Sequence, residues 1–243
     1  MNDTNFAFED LGLAVFEGIV PQDLLHQINE TIVASRHQPH AAGYRRGPEM
    51  AKGFAELLRQ SDPFRAAEAD ICAASRRAAV RMFGPTLPDN VLYVLRCVDH
   101  QAPWQSYLRH FDSHFLTLLI PLKLAEKGER NGDLILYRKR RETTSLVHNV
   151  ITKAWLFTQQ NFPFPIRRAI IMRDLRQKRC VRVAIQPGNL YAFNGFLTKH
   201  ANLDVTVGER RTLIVHYYDP DLSAGLYAVT RVFRALLGRI PEV

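Results

Sequence analysis

Cysteine is scarce and unpaired in this chain: Cys72, Cys97 and Cys180 are an odd, widely spaced set with no CxxC spacing. That sets aside a disulfide framework and a cysteine-based structural zinc site, and it points to a reducing compartment. Long apolar runs are missing as well. The longest, Phe115 to Leu122, falls far short of the roughly 18 to 20 residues that cross a bilayer, and Pro121 interrupts it. Residues Met1 to Asp10 are acidic and lack the basic start and apolar core of a secretory signal, so a cytoplasmic location is expected. No internal repeat or low-complexity segment occurs. With 243 residues, a single domain spanning 1–243 with a well-buried core is expected.

What is present in excess is positive charge, and it is unevenly placed. The net charge is +8, yet residues 138–182 alone hold twelve Lys or Arg against Glu142 and Asp174. The rest of the chain is therefore slightly acidic. A basic block in a neutral setting attracts anions such as phosphates, acidic lipids, nucleic acid or a carboxylated substrate. The alternative is a solvated face that keeps the protein soluble.

The pattern of apolar residues divides the chain. Residues 1–89 are a helical support region with one early strand, Leu11 to Phe16. Pro21 suits a first helical turn, and Leu24, Leu25, Ile28, Ile32 and Val33 recur at helical spacing, which predicts a helix over 21–35. Further helices are expected near Met50 to Arg59 and from Pro63 to Phe83, the last stopped by Gly84-Pro85. From residue 90 to 220 short β-branched or aromatic runs dominate: Val91–Cys97, Phe115–Ile120, Asp133–Tyr137, Leu190–Phe193 and Arg211–Tyr218. Turn residues bound them, including Pro103, Pro121, Asn131-Gly132, Asn194-Gly195 and Gly208. This favours an α+β chain with a mainly β core, a sandwich or jelly roll. The insert 138–182 is too long for a hairpin and is expected to hold a helix or two, broken near Phe162 to Pro165. Residues 221–243 read as a basic amphipathic helix, with Leu226, Val229, Phe233, Leu236 and Ile240 on one stripe. It packs on the barrel or lies on anionic lipid.

His110-Phe111-Asp112 is the sole His-x-Asp among nine histidines, and it lies just before an apolar strand. In extended chain, residues two apart project to one side, so His110 and Asp112 can approach one metal while Phe111 faces away. His200 follows the strand Leu190–Phe193 through a turn, so a neighbouring strand end can deliver a third ligand. Two imidazoles and one carboxylate occupy one face of an octahedral metal and leave the other open, as iron(II) oxygenases require. Arg210 and Thr212 then share a face of the last strong strand. A guanidinium matches a carboxylate with two prongs, and the hydroxyl adds a bond. Arg211 points the opposite way.

These residues resemble the Fe(II)/2-oxoglutarate-dependent dioxygenases, a superfamily with a His-x-Asp, a distal His and a following Arg with Ser or Thr two residues on. The resemblance runs from about Val91 to Tyr218. Asn131-Gly-Asp-Leu134 looks like the family's Gly-Gly-Asp/Glu-Leu turn, with Asn131 in place of the first Gly. Gly12 to Phe16 with the helix after Pro21 resembles the opening of phytanoyl-CoA and prolyl hydroxylase-like members. The subfamily is not identified. The resemblance implies a double-stranded β-helix (cupin-like) in which His110, Asp112 and His200 hold Fe(II). Arg210 and Thr212 would anchor the far carboxylate of 2-oxoglutarate, with Tyr93 a second anchor or a core tyrosine.

It also implies an enzyme that couples O₂ and the decarboxylation of 2-oxoglutarate to succinate and CO₂ with oxidation of a C–H bond. Hydroxylation is the expected outcome. The halogenating relatives replace the carboxylate found here at Asp112, whereas desaturation, epimerisation and ring formation use the same ligands and stay open. A small, anionic or carrier- or lipid-linked metabolite is the expected substrate, with peripheral contact at the inner face of the membrane through the C-terminal helix as a variant. AlkB-like nucleic-acid demethylation is an alternative. Those enzymes carry a second Arg six residues after the co-substrate Arg, where this chain has His216. A jelly-roll domain that binds metal without turnover is the alternative from another class. His114 and His216 could border the site or fill the barrel, and Trp104 and Tyr107 could wall the open face or pack elsewhere.

Overall fold

The computed structural model describes residues 12–36, 48–85, 87–88, 90–101, 103–125, 131–141 and 146–220. The helix expected over 221–243 and the loop over 37–47 lie outside them. The chain opens with strand β1 (Leu13–Phe16) and helices α1 (Gln22–Arg36), α2 (Pro48–Leu58) and α3 (Asp62–Phe83). Strands β2 (Val91–Asp99), β3 (Leu116–Lys123) and β4 (Leu134–Tyr137) follow, then helices α4 (Leu146–Gln160) and α5 (Phe164–Arg176). Strands β5 (Cys180–Val183), β6 (Leu190–Phe193), β7 (His200–Asn202) and β8 (Glu209–Tyr217) complete the described elements.

Two antiparallel sheets result, a larger one in the order β1-β6-β3-β8-β2 and a smaller one in the order β5-β4-β7. This is a double-stranded β-helix. Alternation on the larger sheet separates two cores. Leu116, Leu118, Ile120, Leu213 and Val215 face the helices and pack with Leu25, Ile28 and Ile32 of α1 and Phe64 and Ile71 of α3. Leu119, Tyr191 and Phe193 face the other way, onto Leu134 and Leu136 of β4, and form the interior between the sheets. Val33, expected on the buried stripe of α1, is exposed.

Helix-to-sheet attachment also uses a polar network. Arg59 donates to both carboxylate oxygens of Glu68, at 2.7 and 3.0 Å, and to the Tyr217 hydroxyl at 2.9 Å; that hydroxyl donates to Glu68 at 2.7 Å. Glu68, through its hydrogen bonds and charge, holds the Arg59 guanidinium above its ordinary pKa against the opposing effect of burial. Pro121 does not end its strand as expected. β3 continues to Lys123 with an irregular register after Pro121, and β6 pairs β3 only over Thr117 to Leu119. A residue without an N–H is tolerated on that less paired stretch.

Candidate metal and dicarboxylate site

The site sits between the sheets, and period-two alternation decides what enters it. His110 forms an antiparallel bridge with His200, the first residue of β7. Each donates its backbone N–H to the other's carbonyl at 3.0 Å. Their imidazoles lie 4.2 Å apart, centroid to centroid. Asp112 is placed by its own N–H, which donates to the Gly195 carbonyl at 2.9 Å. The structure thus brings His110, Asp112 and His200 together, with one ligand atom of each within 4.8 Å of the others.

The hydrogen bonds fix which atoms face inward. Nδ1 of His110 lies 2.9 Å from the Leu108 carbonyl, and Nδ1 of His200 lies 3.0 Å from the Thr198 carbonyl. A carbonyl only accepts, so both Nδ1 atoms carry hydrogen. Each Nε2 is then left to aim its lone pair at Asp112 Oδ1, 3.4 Å away from both. Three electron-pair donors converging on one point repel each other unless a cation sits among them, and backbone bonds at Nδ1 are how proteins orient ligating histidines. Burial holds the His110 imidazole below its ordinary pKa, with His200 adding to the effect. Burial opposes the ionisation of both Asp112 and His200. Facing each other, Asp112 is nonetheless held well below the usual carboxylate range and His200 above its ordinary value.

The second oxygen of Asp112 is engaged elsewhere. Thr117 donates its hydroxyl hydrogen to Oδ2, and His216 Nδ1 lies 3.1 Å from the same hydroxyl oxygen. Because that hydrogen is committed to Asp112, His216 must donate to Thr117. Its ring stacks on His114 at 5.3 Å. This chain leaves Oδ1 alone to face the imidazoles. Thr117 carries no metal signal as a strand threonine, and Gly195 was legible in the sequence only as part of a turn. A β-carbon on Gly195 would overlap Asp112 Oδ2 and Thr117 Oγ1. His216 was visible through its parity with Arg210.

Arg210 and Thr212 lie on the inner face of β8 with Ile214 and His216. Their partners on β2 are Val98 and Arg96. Both are buried. Arg210 donates one terminal N–H to the Gly132 carbonyl, while Arg210 Nε and Thr212 Oγ1 have no partner among the described residues. Burial, and then the nearby charge of Arg96, push the Arg210 guanidinium down to about 9. A buried cation with an unsatisfied donor beside such a hydroxyl is a fitting receptor for a carboxylate. Gly132, at φ 77°, makes the room, since a β-carbon there would stand 2.9 Å from Arg210 Cδ.

Tyr93 does not join this group. It pairs with Val215 and shares the helix-facing side of β2 with Leu95, and its hydroxyl lies 3.4 Å from Arg59. The parity of its strand turns it toward the helices, the side that the core-tyrosine alternative expects. Arg211 likewise faces the helices, donating to the Asn29 carbonyl and side chain at 3.1 and 3.0 Å. Tyr107 is no wall to the site either. It is buried on the outer side of the smaller sheet with Ile135 and Ala201, and its hydroxyl donates to Asp204 at 2.6 Å. Trp104 is exposed.

No protein-family model matches the sequence, and no curated protein matches it. Solved structures do match the fold. The non-heme alpha-ketoglutarate-dependent carbocyclase SnoK from nogalamycin biosynthesis aligns over 90% of this chain and 84% of its own, with TM-score 0.52 and 13% identity. HygX from Streptomyces hygroscopicus, solved with nickel and 2-oxoglutarate bound, aligns over 90% of this chain and 86% of its own, with TM-score 0.50 and 13% identity. At that identity the likeness establishes the fold.

Proposed function

We propose that the chain is an Fe(II)- and 2-oxoglutarate-dependent oxygenase that hydroxylates a C–H bond of a small, anionic metabolite. The observation that carries the reading is the pairing of a complete donor set, His110, Asp112 and His200, with a buried cation, Arg210, whose Nε meets no acceptor among the described residues, between the two sheets. The fold shared with SnoK and HygX supports it, and HygX was solved with 2-oxoglutarate in place. His110, Asp112 and His200 would hold the iron, and Arg210 with Thr212 would hold the distal carboxylate of 2-oxoglutarate. With both bound, O₂ converts 2-oxoglutarate to succinate and CO₂ and delivers its other oxygen atom to the substrate C–H bond.

The chain's own residues supply orientation and charge. The Leu108 and Thr198 carbonyls keep both Nδ1 atoms protonated, and Thr117 with His216 occupies Asp112 Oδ2, so the ligand lone pairs face the metal. The inner faces contribute Leu119, Leu136 and Phe193, which exclude water around the reacting centre. Phe193 meets His200 edge-on at 5.0 Å. Arg96 lies on the same inner face as Arg210 and contributes positive charge felt at both Arg210 and His200. That field supports an anionic molecule at the site. The carboxylate of Asp112 supports hydroxylation.

The test is succinate formation by the full chain with Fe(II), 2-oxoglutarate and O₂. Wild-type protein is expected to release succinate even without its true substrate. Activity should fall at least about 100-fold in His110→Ala. Arg210→Met should raise the KM for 2-oxoglutarate by about 100-fold while Fe(II) binding persists. Iron-loaded wild-type protein that forms no succinate across a panel of small anions would favour a metal-binding domain without turnover.

A further inference from the structure

The basic insert forms a second feature, on the far side of the smaller sheet from the metal ligands. Arg109 and Lys199 each precede a ligand, so alternation turns them outward as His110 and His200 turn inward. They meet Tyr137, whose ring lies 3.9 Å from Lys199 Nζ, and Asp174 of α5, buried at the centre of the group. Together with Arg173 and Arg179 they line a cavity of about 450 Å³ that Arg138 and Lys139 complete. Six cations and one carboxylate therefore line it. Asp174 accepts the Tyr137 hydroxyl at 2.8 Å but lies 3.6 Å from Arg109, 3.5 Å from Arg179 and 3.9 Å from Arg173. Those separations exceed the roughly 2.7 to 2.9 Å of a charge-assisted hydrogen bond. One terminal N–H of Arg109 goes to Gln159 Oε1, whereas Arg173 and Arg179 keep donors available while all these charges crowd one concavity.

We propose that this cavity is a binding site for a small molecule carrying a diphosphate or a pair of phosphate groups. Guanidinium forks match phosphate oxygens in pairs. The excess of five positive charges is too large for one carboxylate and suits the charge of a diphosphate. The volume exceeds that of a lone phosphate and lies within the roughly 300 to 1,000 Å³ typical of ligand pockets. Convergence around Asp174, in place of a stripe along the surface, favours a compact ligand over a polymer or a lipid face. The inference stands apart from the oxygenase reading, because the smaller sheet separates this cavity from the metal ligands.

The test uses inorganic pyrophosphate as probe, titrated calorimetrically into the full chain at fixed ionic strength. Saturable one-to-one binding is expected, about tenfold or more tighter than orthophosphate. The double variant Arg173→Gln/Arg179→Gln should weaken it at least about tenfold. Both side chains are more than half exposed, at 58% and 59%, so the fold should tolerate their loss. Arg138→Gln/Lys139→Gln, also on exposed residues, should act in the same direction. His110→Ala should bind as wild type does, which separates the cavity from chelation at the metal centre. The proposal is overturned by an absence of saturable binding or by equal affinity in the arginine variants. Loss in His110→Ala would overturn it too, as would binding only to anionic vesicles or oligonucleotides that pyrophosphate does not displace.

Discussion

Asp112 divides its two oxygens between different tasks, and single residues around it enforce the division. Oδ1 faces both imidazoles, while Oδ2 is held by Thr117. Gly195 allows this, because its missing side chain leaves the space in which the carboxylate and the hydroxyl meet. Gly195→Ala should therefore push Asp112 out of position, because the added methyl meets the carboxylate and its Thr117 support while all three candidate ligands stay in the chain. Metal affinity is expected to fall about 10- to 100-fold, the usual range for disturbed supporting groups, with the unfolding midpoint of the metal-free protein little changed. Calorimetric titration with Fe(II) or a stable divalent substitute would measure it. At this scale the sequence was informative about chemistry and silent about support. His110, Asp112, His200, Arg210 and Thr212 stand out because residue type and spacing carry meaning. Thr117 and Gly195 act only through a contact between distant segments.

Among the elements, α3 and β8 are joined by polar atoms as well as by apolar packing. Glu68 accepts from Arg59 and from Tyr217, so Glu68→Ala strands a partly buried guanidinium and a tyrosine hydroxyl at once. A loss of about 3 kcal/mol is expected, read by urea unfolding with an unchanged denaturant slope. Long elements were legible: the helices around Phe64 and Ile28 and the strands β2, β3 and β8 carry enough periodic residues to declare themselves. β7 has three residues, too few for any alternation to register, and β5 alternates Val181 with the charged Arg182 inside a basic segment. Pro121 misled because a proline ends most strands but not a stretch that lacks a neighbour on one side. Tyr93 was open between two faces for a different reason. Its face depends on the register between β2 and β8, a property of the pair that neither strand states by itself.

For the whole molecule, the interior between the sheets is marked by guanidinium charge, on Arg96 and Arg210. Arg210 is the extreme case: burial opposes its charged form and brings its pKa down to about 9 from 12.5. A bound dicarboxylate favours that charged form, so 2-oxoglutarate or succinate should raise the thermal midpoint of the protein at pH 7. The sign with pH follows from the same depression. The cation is complete below about 9, so the ligand-induced shift should be full at neutral pH and shrink as pH rises through that value. Differential scanning fluorimetry with and without succinate from pH 7 to 10 would record it, and Arg210→Met should abolish the shift throughout. Among the described residues no helix is long and apolar enough to cross a membrane.

The bridge between His110 and His200 carries a consequence for time as well as for geometry. The two imidazoles hang from residues that hold each other by a reciprocal pair of backbone hydrogen bonds, so both imidazoles of the candidate metal site belong to one strand pairing. The backbones that carry them cannot separate while those bonds stand. An ion held there would brace the edge of the smaller sheet, and the lifetime of the loaded state would lengthen as that edge opens less often.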